Sequence, residues 1–106
     1  MPIADTPEPP YYAVIFTSLR TETDEGYAEM TARMVEAAKN RPGFLGIESA
    51  RSGTGITVSY WKDTDSIRAW KAETSHRLAQ KYGREAWYSA YRVRVCLVER
   101  DYGFPG

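Results

Sequence analysis

Cysteine and histidine are almost absent from this chain, which has one of each, Cys96 and His76, in 106 residues. A single cysteine excludes an internal disulfide and is typical of a protein from a reducing compartment. It also excludes the metal chaperones that depend on a Cys-x-x-Cys pair. We therefore expect a cytoplasmic protein that is not a metal chaperone.

The chain also lacks an excess of charge, since 14 Lys and Arg residues balance 14 Asp and Glu residues. Neither a nucleic acid nor an anionic membrane surface is therefore an expected partner. The first ten residues, MPIADTPEPP, contain no basic residue and no apolar run, so we expect neither a signal peptide nor a membrane span there. Aromatic residues are abundant instead, at 13% of the chain.

Hydrophobic periodicity divides residues 11–100 into six elements. Alternating or β-branched segments predict four strands, at 11–19, 44–51, 56–61 and 91–100. Three- and four-residue spacings predict two helices, one capped by Thr23 or Asp24 and one capped by Asp63 or Thr64. The second helix is expected to break near Glu73–Ser75 and restart. Residues 1–10 are predicted to form a flexible arm and residues 101–106 a tail.

The order β-α-β-β-α-β predicts an α+β, ferredoxin-like domain, in which both helices cover one face of a four-stranded antiparallel sheet. In the last strand, Val93, Val95 and Leu97 suit the side of the helices. The other face is only partly polar, and a second copy of the chain is the simplest partner that would bury it. We therefore predict a homodimer in which the two sheets pack against each other.

Many functions share this topology, so the fold alone does not identify one. RNA-recognition domains carry a basic and aromatic motif on a central strand. The corresponding strand here, GITVSYW, has no basic start and has Thr57 and Ser59 where stacking aromatic residues would stand. The sequence therefore argues against RNA binding.

One stretch of the chain carries a specific resemblance. Pro42-Gly43-Phe44-Leu45-Gly46 precedes a short strand, the next strand ends with Tyr60-Trp61, and an acidic cap, Trp70 and His76 follow. This pattern resembles the antibiotic biosynthesis monooxygenase (ABM) domain family, over roughly Tyr11 to Arg100. The resemblance implies a dimeric α+β barrel.

The family includes cofactor-independent oxygenases, so the resemblance implies a monooxygenase that oxidises a small phenolic, quinol or polyketide-like aromatic with O2. No metal or flavin is implied, because the deprotonated substrate itself reduces oxygen. A dimer that binds a small metabolite without this chemistry is the alternative, and a protein whose aromatic residues only form a core is a third possibility.

His76 is the candidate general base, because imidazole titrates near neutral pH. By the resemblance it matches a histidine that faces the cleft between the helices and the sheet. On an unbroken helix it would point away from the inner stripe that contains Trp70 and Tyr82, so only the predicted break turns it inward. A surface or capping role is the alternative.

Five aromatic residues are candidates for substrate binding. Trp61 and Trp70 are placed to sandwich a planar ligand, although large aromatic residues in small domains usually fill the core. Tyr60, predicted to share the inner face with Ile56 and Val58, and Tyr82 would donate hydrogen bonds to a substrate oxygen. Phe16 would form an apolar wall.

Haem degradation is disfavoured by the sequence. The haem-degrading relatives place an iron-binding histidine ten residues after the tryptophan that corresponds to Trp70, where this chain has Gln80. They also carry an asparagine near the middle of the first strand, and YYAVIFTSL contains none. Glutamine is a poor replacement for imidazole as an iron ligand.

Overall fold

A computed structural model describes residues 3–73 and 86–105 of the chain. Within them lie four strands and two helices, in the predicted order β-α-β-β-α-β. The elements are β1 (Tyr11–Arg20), α1 (Tyr27–Lys39), β2 (Phe44–Ser52), β3 (Thr54–Trp61), α2 (Thr64–Ala72) and β4 (Tyr88–Val98). The strands form one antiparallel sheet in the order β2-β3-β1-β4. The predicted ferredoxin-like α+β fold is therefore confirmed.

The start of α1 differs from the prediction. Neither Thr23 nor Asp24 caps this helix, which begins at Tyr27 after Gly26 and has no side-chain cap hydrogen bond. Asp24 instead forms an ion pair with Arg20, at 2.9 Å. A turn in which the backbone N–H of Tyr27 donates to the carbonyl of Asp24, at 3.0 Å, places Gly26 at the N-cap instead.

The start of α2 follows the prediction. The carboxylate of Asp63 accepts a hydrogen bond from the backbone N–H of Ser66, at 2.7 Å. The helix ends at Ala72, and Glu73 has an extended backbone, as expected for the predicted break. The predicted restart of the helix lies outside the described residues. β4 begins at Tyr88, three residues before the predicted position, and ends at Val98.

Gly43 explains why the Pro42-Gly43 corner matters to this fold. Its backbone has φ +86°, which favours glycine, and its carbonyl accepts a hydrogen bond from the N–H of Lys62, at 2.8 Å. A Cβ atom at this position would lie 2.1 Å from Oγ of Ser66. The corner therefore holds the start of β2 against the start of α2.

The strand register decides which side chains face the helices. Val14 lies opposite Ser59 of β3 and opposite Val95 of β4, so these three side chains share one face. Val14 also belongs to the buried core cluster with Ala38, Trp61 and Ile67, and two of these come from the helices. This is the covered face of the sheet, and Val93 and Val95 lie on it as predicted.

The opposite face of the sheet, which we call the far face, carries Tyr11, Ala13 and Tyr60. Ala13 pairs with Tyr60 directly beside the Tyr12–Trp61 pair of the covered face. The prediction that Tyr60 shares the helix side is therefore wrong, because successive side chains of a strand alternate and Trp61 points to the helices.

Residues near both ends of the chain contact the far face. The backbone N–H of Ala4 donates to the carboxylate of Glu48, at 2.9 Å. Thr6 donates to the hydroxyl of Tyr11, at 2.9 Å, and that hydroxyl donates to Asp101. The predicted arm and tail thus meet at Tyr11. Among the described residues, no helix has the length and apolar character needed to cross a membrane.

Candidate functional site

The helices and the covered face of the sheet line a partly open cavity of about 170 Å³. Side chains from both helices and all four strands contribute to its walls, and most of them are aliphatic or aromatic. The lining residues are Val14, Phe16, Tyr27, Met30, Thr31, Met34, Val35, Ala38, Ile47, Thr57, Ser59, Ile67, Trp70, Lys71, Trp87, Tyr88, Tyr91, Val93 and Val95. Such a lining suits an apolar, flat guest.

Phe16 and Trp70 are the predicted substrate-binding residues that line this cavity. The ring of Phe16 stacks on Tyr91, with centroids 5.4 Å apart, and meets the ring of Tyr88 edge-on at 5.3 Å. Phe16 therefore belongs to an aromatic wall of the cavity, and its contact with a substrate stays a prediction.

Trp61 and Trp70 do not sandwich a ligand between them. Their ring centroids are 5.1 Å apart and their planes are tilted by 30°, so the two indoles are in direct contact and leave no room for a third ring. Trp61 is completely buried and packs edge-on against Phe44, at 5.4 Å. Its indole N–H donates to Oγ of Ser59, at 2.9 Å. Trp61 thus lies behind Trp70 in the core.

Tyr60 lies on the far face, away from the cavity. Its hydroxyl donates to the carboxylate of Glu48, and its ring meets the ring of Tyr11 edge-on, with centroids 5.8 Å apart. Burial and the hydrogen bond to Glu48 raise the pKa of Tyr60 well above its ordinary value. The geometry therefore places Tyr60 where a ligand in the cavity does not reach it.

Two of the predicted site residues, His76 and Tyr82, lie outside the described residues, as does Gln80. The proposed base and one proposed hydrogen-bond donor thus remain predictions from the sequence.

A pair of tyrosines in the cavity wall was missed as a functional feature. The hydroxyl of Tyr88 donates to the hydroxyl of Tyr27, at 3.3 Å, and we call these two residues the tyrosine pair. In the sequence, Tyr27 shares a helical spacing with Met30 and Met34, and Tyr88 lies just before the strand predicted at 91–100, so neither stands out as a site residue. The available signal was the aromatic run Trp87-Tyr88-Ser89-Ala90-Tyr91.

Trp87 fixes this end of the cavity. It is buried, its indole N–H donates to the backbone carbonyl of Glu25, at 2.9 Å, and its ring meets that of Tyr27 at 6.0 Å. Its own carbonyl accepts hydrogen bonds from the N–H of Thr21, at 2.9 Å, and from Nε of Arg20, at 3.1 Å. The end of β1, the start of α1 and the start of β4 are therefore tied together around the tyrosine pair.

Two arginines lie near the tyrosine pair. The guanidinium carbon of Arg20 lies 3.4 Å from the centroid of the Tyr27 ring, in a cation–π contact. Arg51, on β2, donates to Oγ of Ser18, at 2.6 Å. Gly55 makes the position of Arg51 possible, since a Cβ atom there would come within 2.2 Å of the guanidinium.

These charges act on the pKa values of the pair. Burial works to raise the pKa of Tyr27, but the hydrogen bonds from Tyr88 and Thr31 and the positive charges of Arg51 and Arg20 outweigh it, so the pKa is lowered. For Tyr88, burial and the hydrogen bond that it donates to Tyr27 raise the pKa. Tyr27 is therefore the more acidic member of the pair.

The arrangement combines an apolar chamber with a few polar groups. Lys71 of α2 is a further charged residue in the lining. In the described part of the chain, no three His, Cys, Asp or Glu side chains lie close enough together to hold a metal ion. The described walls can orient and desolvate a planar molecule, and the tyrosine pair can hydrogen-bond one of its oxygens.

Comparison with solved structures supports the fold described above. SnoaB from Streptomyces nogalater, a cofactor-independent oxygenase, superimposes with a TM-score of 0.71 at 14% identity, over 92% of this chain and all (100%) of that chain. Rv0793 from Mycobacterium tuberculosis gives a TM-score of 0.77 at 10% identity, over 88% of this chain and 99% of that chain. At these identities, the likeness is one of fold.

Sequence comparison adds the family. The uncharacterized protein YqjZ from Bacillus subtilis (strain 168) is 53% identical over 101 residues, which cover 93% of this chain and 89% of YqjZ. Residues 10–82, well over half of the chain, match the family model described as antibiotic biosynthesis monooxygenase. The chain therefore belongs to the antibiotic biosynthesis monooxygenase family, in agreement with the resemblance noted in its sequence.

Proposed function

We propose that this protein is a cofactor-independent monooxygenase that oxidises a small phenolic, quinol or polyketide-like aromatic with O2. The observation that carries the proposal is the aromatic-walled cavity of about 170 Å³ between the helices and the sheet. Membership of the family and the fold shared with SnoaB, itself a cofactor-independent oxygenase, support it.

The size and the walls of the cavity favour a small planar guest. An apolar protein cavity of about 150 Å³ is large enough to hold benzene. The stacked rings of Phe16 and Tyr91 on one side and the indole of Trp70 offer flat surfaces to such a guest. Single-ring hydroquinones are therefore the first substrates to test, and the larger anthrones are the second.

The reaction that we propose needs a proton acceptor and a dry site. A base removes a proton from the substrate, and the resulting anion passes one electron to O2. The substrate radical and superoxide then join through a new C–O bond, and the protonated base returns its proton to give a hydroperoxide, which loses water to leave a carbonyl. For an anthrone, one CH2 group and one O2 thus become one C=O group and one water in total. His76 is our candidate for the base.

Oxygen uptake tests this function directly. The pure, metal-stripped protein is mixed with a panel of hydroquinones and anthrones, and O2 consumption is followed with an electrode. A cavity-filling variant, Met34→Trp, should abolish turnover, because Met34 lines the cavity. Arg33→Trp adds the same indole at an exposed position of the same helix and should retain turnover. Turnover by both variants would contradict the proposed site.

The role of His76 requires its own variant. We expect His76→Ala to lower the rate of oxygen uptake by about 10²–10⁴-fold, the range typical of a lost general base. Turnover that is unchanged in His76→Ala would remove histidine from the mechanism while leaving the oxygenase function in place.

A dimer that binds a small metabolite without oxidising it is the alternative function. If no member of the panel consumes oxygen, a thermal-shift screen with small aromatic acids and phenols distinguishes a binding protein from a protein without a ligand. A compound that binds the native state must raise its melting temperature. The same Met34→Trp variant should abolish that rise.

We also propose that the protein is a cytoplasmic homodimer in which the far faces of two sheets pack together. The far face offers Ile56, which is 45% exposed, beside Val58 and Ile15. Ile56→Asp should shift the molecular mass measured by sedimentation from two chains towards one. The same substitution at the exposed Ala32 of α1 should leave the mass unchanged.

A further inference from the structure

We propose that the tyrosine pair is an anion-binding site, which receives the ionised oxygen of a phenol or enol bound in the cavity. The proposal rests on the proposed function, because it concerns the same cavity and names the chemical class of the ligand that binds there. It assigns the tyrosine pair the role of recognising an oxyanion, separate from the role of the base.

The direction of the hydrogen bond between Tyr88 and Tyr27 leaves the Tyr27 hydroxyl able to donate to a ligand. Tyr88 donates to the oxygen of Tyr27, so the proton of Tyr27 must be directed elsewhere. The Thr31 side chain also hydrogen-bonds to Tyr27, in the sense that lowers the pKa of Tyr27, and residues 3–73 and 86–105 provide no carboxylate or carbonyl that accepts the Tyr27 proton. Because Tyr27 lines the cavity, a ligand oxygen is the acceptor that this geometry suits.

The distance between the two hydroxyl oxygens also leaves them able to bind a ligand. At 3.3 Å, the contact between the two hydroxyls is longer than a normal hydrogen bond between hydroxyl groups, which is about 2.7–2.8 Å. Both hydroxyls therefore retain capacity for a third oxygen. A ligand oxyanion that accepts from Tyr27, while Tyr27 accepts from Tyr88, would be stabilised by a short chain of hydrogen bonds.

The surrounding charge favours an anion over a neutral oxygen. The guanidinium of Arg20 covers the Tyr27 ring, and Arg51 lies on the same face of the sheet. Arg20 is largely shielded, at 15% side-chain exposure, whereas its partner Asp24 is 91% exposed and is screened by water. The positive potential at the tyrosine pair therefore comes mainly from Arg20, because Arg51 is itself exposed and partly screened by water.

The lowered pKa of Tyr27 agrees with this role. A more acidic hydroxyl is a stronger donor to an oxyanion, and the pKa of Tyr27 is lowered by the hydrogen bond from Tyr88 together with the positive charges that would attract the ligand. Among residues 3–73 and 86–105, the charged and titratable groups near the pair are Arg20 and Asp24 beside α1, Arg51 on β2 and Tyr91 on β4, and Lys71 of α2 lines the same cavity.

The pair is also held in place before a ligand arrives. The ring of Tyr27 is fixed between Arg20 and the edge contacts of Trp87 and Tyr88, and the ring of Tyr88 meets Phe16 at 5.3 Å. Donors that need no rearrangement stabilise a negative charge most effectively.

The test uses 4-nitrophenol, whose phenolate absorbs visible light while its neutral form does not. The full-length protein is titrated into the probe at several pH values, and the ionised fraction of the bound probe is read from its absorbance. We expect the bound probe to ionise at a lower pH than the free probe. Binding of only the neutral phenol, or no binding of the probe, would overturn the proposal.

Variants show whether the tyrosine pair causes the effect. Tyr27→Phe should weaken binding of the phenolate by about 10- to 100-fold, as expected for a lost hydrogen bond to a charged group. It should leave the affinity for 4-nitroanisole, which cannot ionise, within about twofold. Tyr88→Phe should give a smaller loss in the same direction.

Tyr12→Phe is the matched control, since it removes a hydroxyl from the covered face outside the cavity lining. It should bind the phenolate like the wild type. An equal loss of affinity for the phenolate in Tyr12→Phe and Tyr27→Phe would overturn the proposal. It would also be overturned if the probe bound to Tyr27→Phe ionised at the same pH as the probe bound to the wild type. Because 4-nitrophenol is scored by binding alone, these results are independent of whether the protein consumes oxygen.

Discussion

Two pairs of tyrosines lie on opposite faces of the same sheet, and their surroundings differ in the sign of the charge. Tyr27 and Tyr88 line the cavity close to two arginines. Tyr11 and Tyr60 on the far face donate to carboxylates, those of Asp101 and Glu48 respectively.

The pKa values of the two pairs follow from that difference. On the far face, burial and the carboxylates raise the pKa of both Tyr11 and Tyr60. In the cavity, the arginines help to lower the pKa of Tyr27. The far-face hydroxyls are committed to holding the arm and the tail of the chain, whereas the cavity hydroxyls are loosely paired and available to a ligand. The chemistry of a tyrosine here depends on its neighbours and not on its position in a strand pattern.

The largest effect that we expect comes from the residue next to Tyr60 in the sequence. Trp61→Ala should lower the free energy of unfolding by about 3–5 kcal/mol, because it opens a space in the core where Trp61 is completely buried. Urea unfolding followed by circular dichroism measures this change. A loss no larger than that of Tyr60→Phe would contradict the assignment of Trp61 to the core.

A smaller effect on the free energy of unfolding distinguishes the far-face tyrosines from the tyrosine pair of the cavity. Tyr60→Phe should cost about 1–2 kcal/mol, since it leaves Glu48 without the hydroxyl that donates to it. Tyr27→Phe should cost less than about 0.5 kcal/mol, because the 3.3 Å contact that it removes is weak. The same urea unfolding experiment compares the two variants, and the reverse order would refute the contrast between the two pairs.

Removal of the positive charge of Arg51 should reduce the difference in pKa between Tyr27 and the far-face tyrosines. In Arg51→Met, the pKa of Tyr27 should rise, because one of the charges that favours its phenolate is gone. Ultraviolet absorbance or NMR of labelled tyrosines follows the titration. Arg33→Met, which removes an exposed arginine of α1, is the control and should leave that pKa in place. A fall in the pKa in Arg51→Met would contradict the arrangement.

The smallest effect that we expect is on the acid stability of the protein, and it comes from Asp63, the N-cap residue of α2. The hydrogen bonds from the side chain and the backbone N–H of Ser66 lower the pKa of Asp63 below its usual value of 3.8. Since the folded pKa is the lower one, the stabilisation is present above pH 3.8 and is lost as the pH falls through the folded pKa. Asp63→Asn should therefore show a weaker loss of stability in acid, measured by urea unfolding across that range.

Local patterns predicted most of the fold. Alternation in β1 and β4, the Asp63 cap and the Pro42-Gly43 corner depend on neighbours within a few residues, so the sequence alone identifies them. The start of α1 was mispredicted, because a turn over residues 24–27 delays the helix to Tyr27 and places Gly26 at its N-cap.

The site was harder to predict, because it depends on contacts between distant elements. The prediction of a Trp61–Trp70 sandwich correctly placed two indoles at one junction, yet only packing shows that they contact each other. Tyr60 was assigned to the wrong face. Both faces of the sheet are partly apolar, so the alternation of side chains along β3 does not show which set faces the helices. The tyrosine pair joins residues 61 positions apart, which no local pattern reveals.

The sequence by itself determined the order of the elements, the family and the aromatic character of the core, since each of these follows from composition, short-range periodicity or a contiguous motif. The tertiary structure decided which face of each strand meets the helices, which indole lines the cavity and which tyrosines lie beside arginines. The physical reason is that burial and electrostatic fields arise from side chains brought together across the sheet, and their distances in space are independent of their distances along the chain.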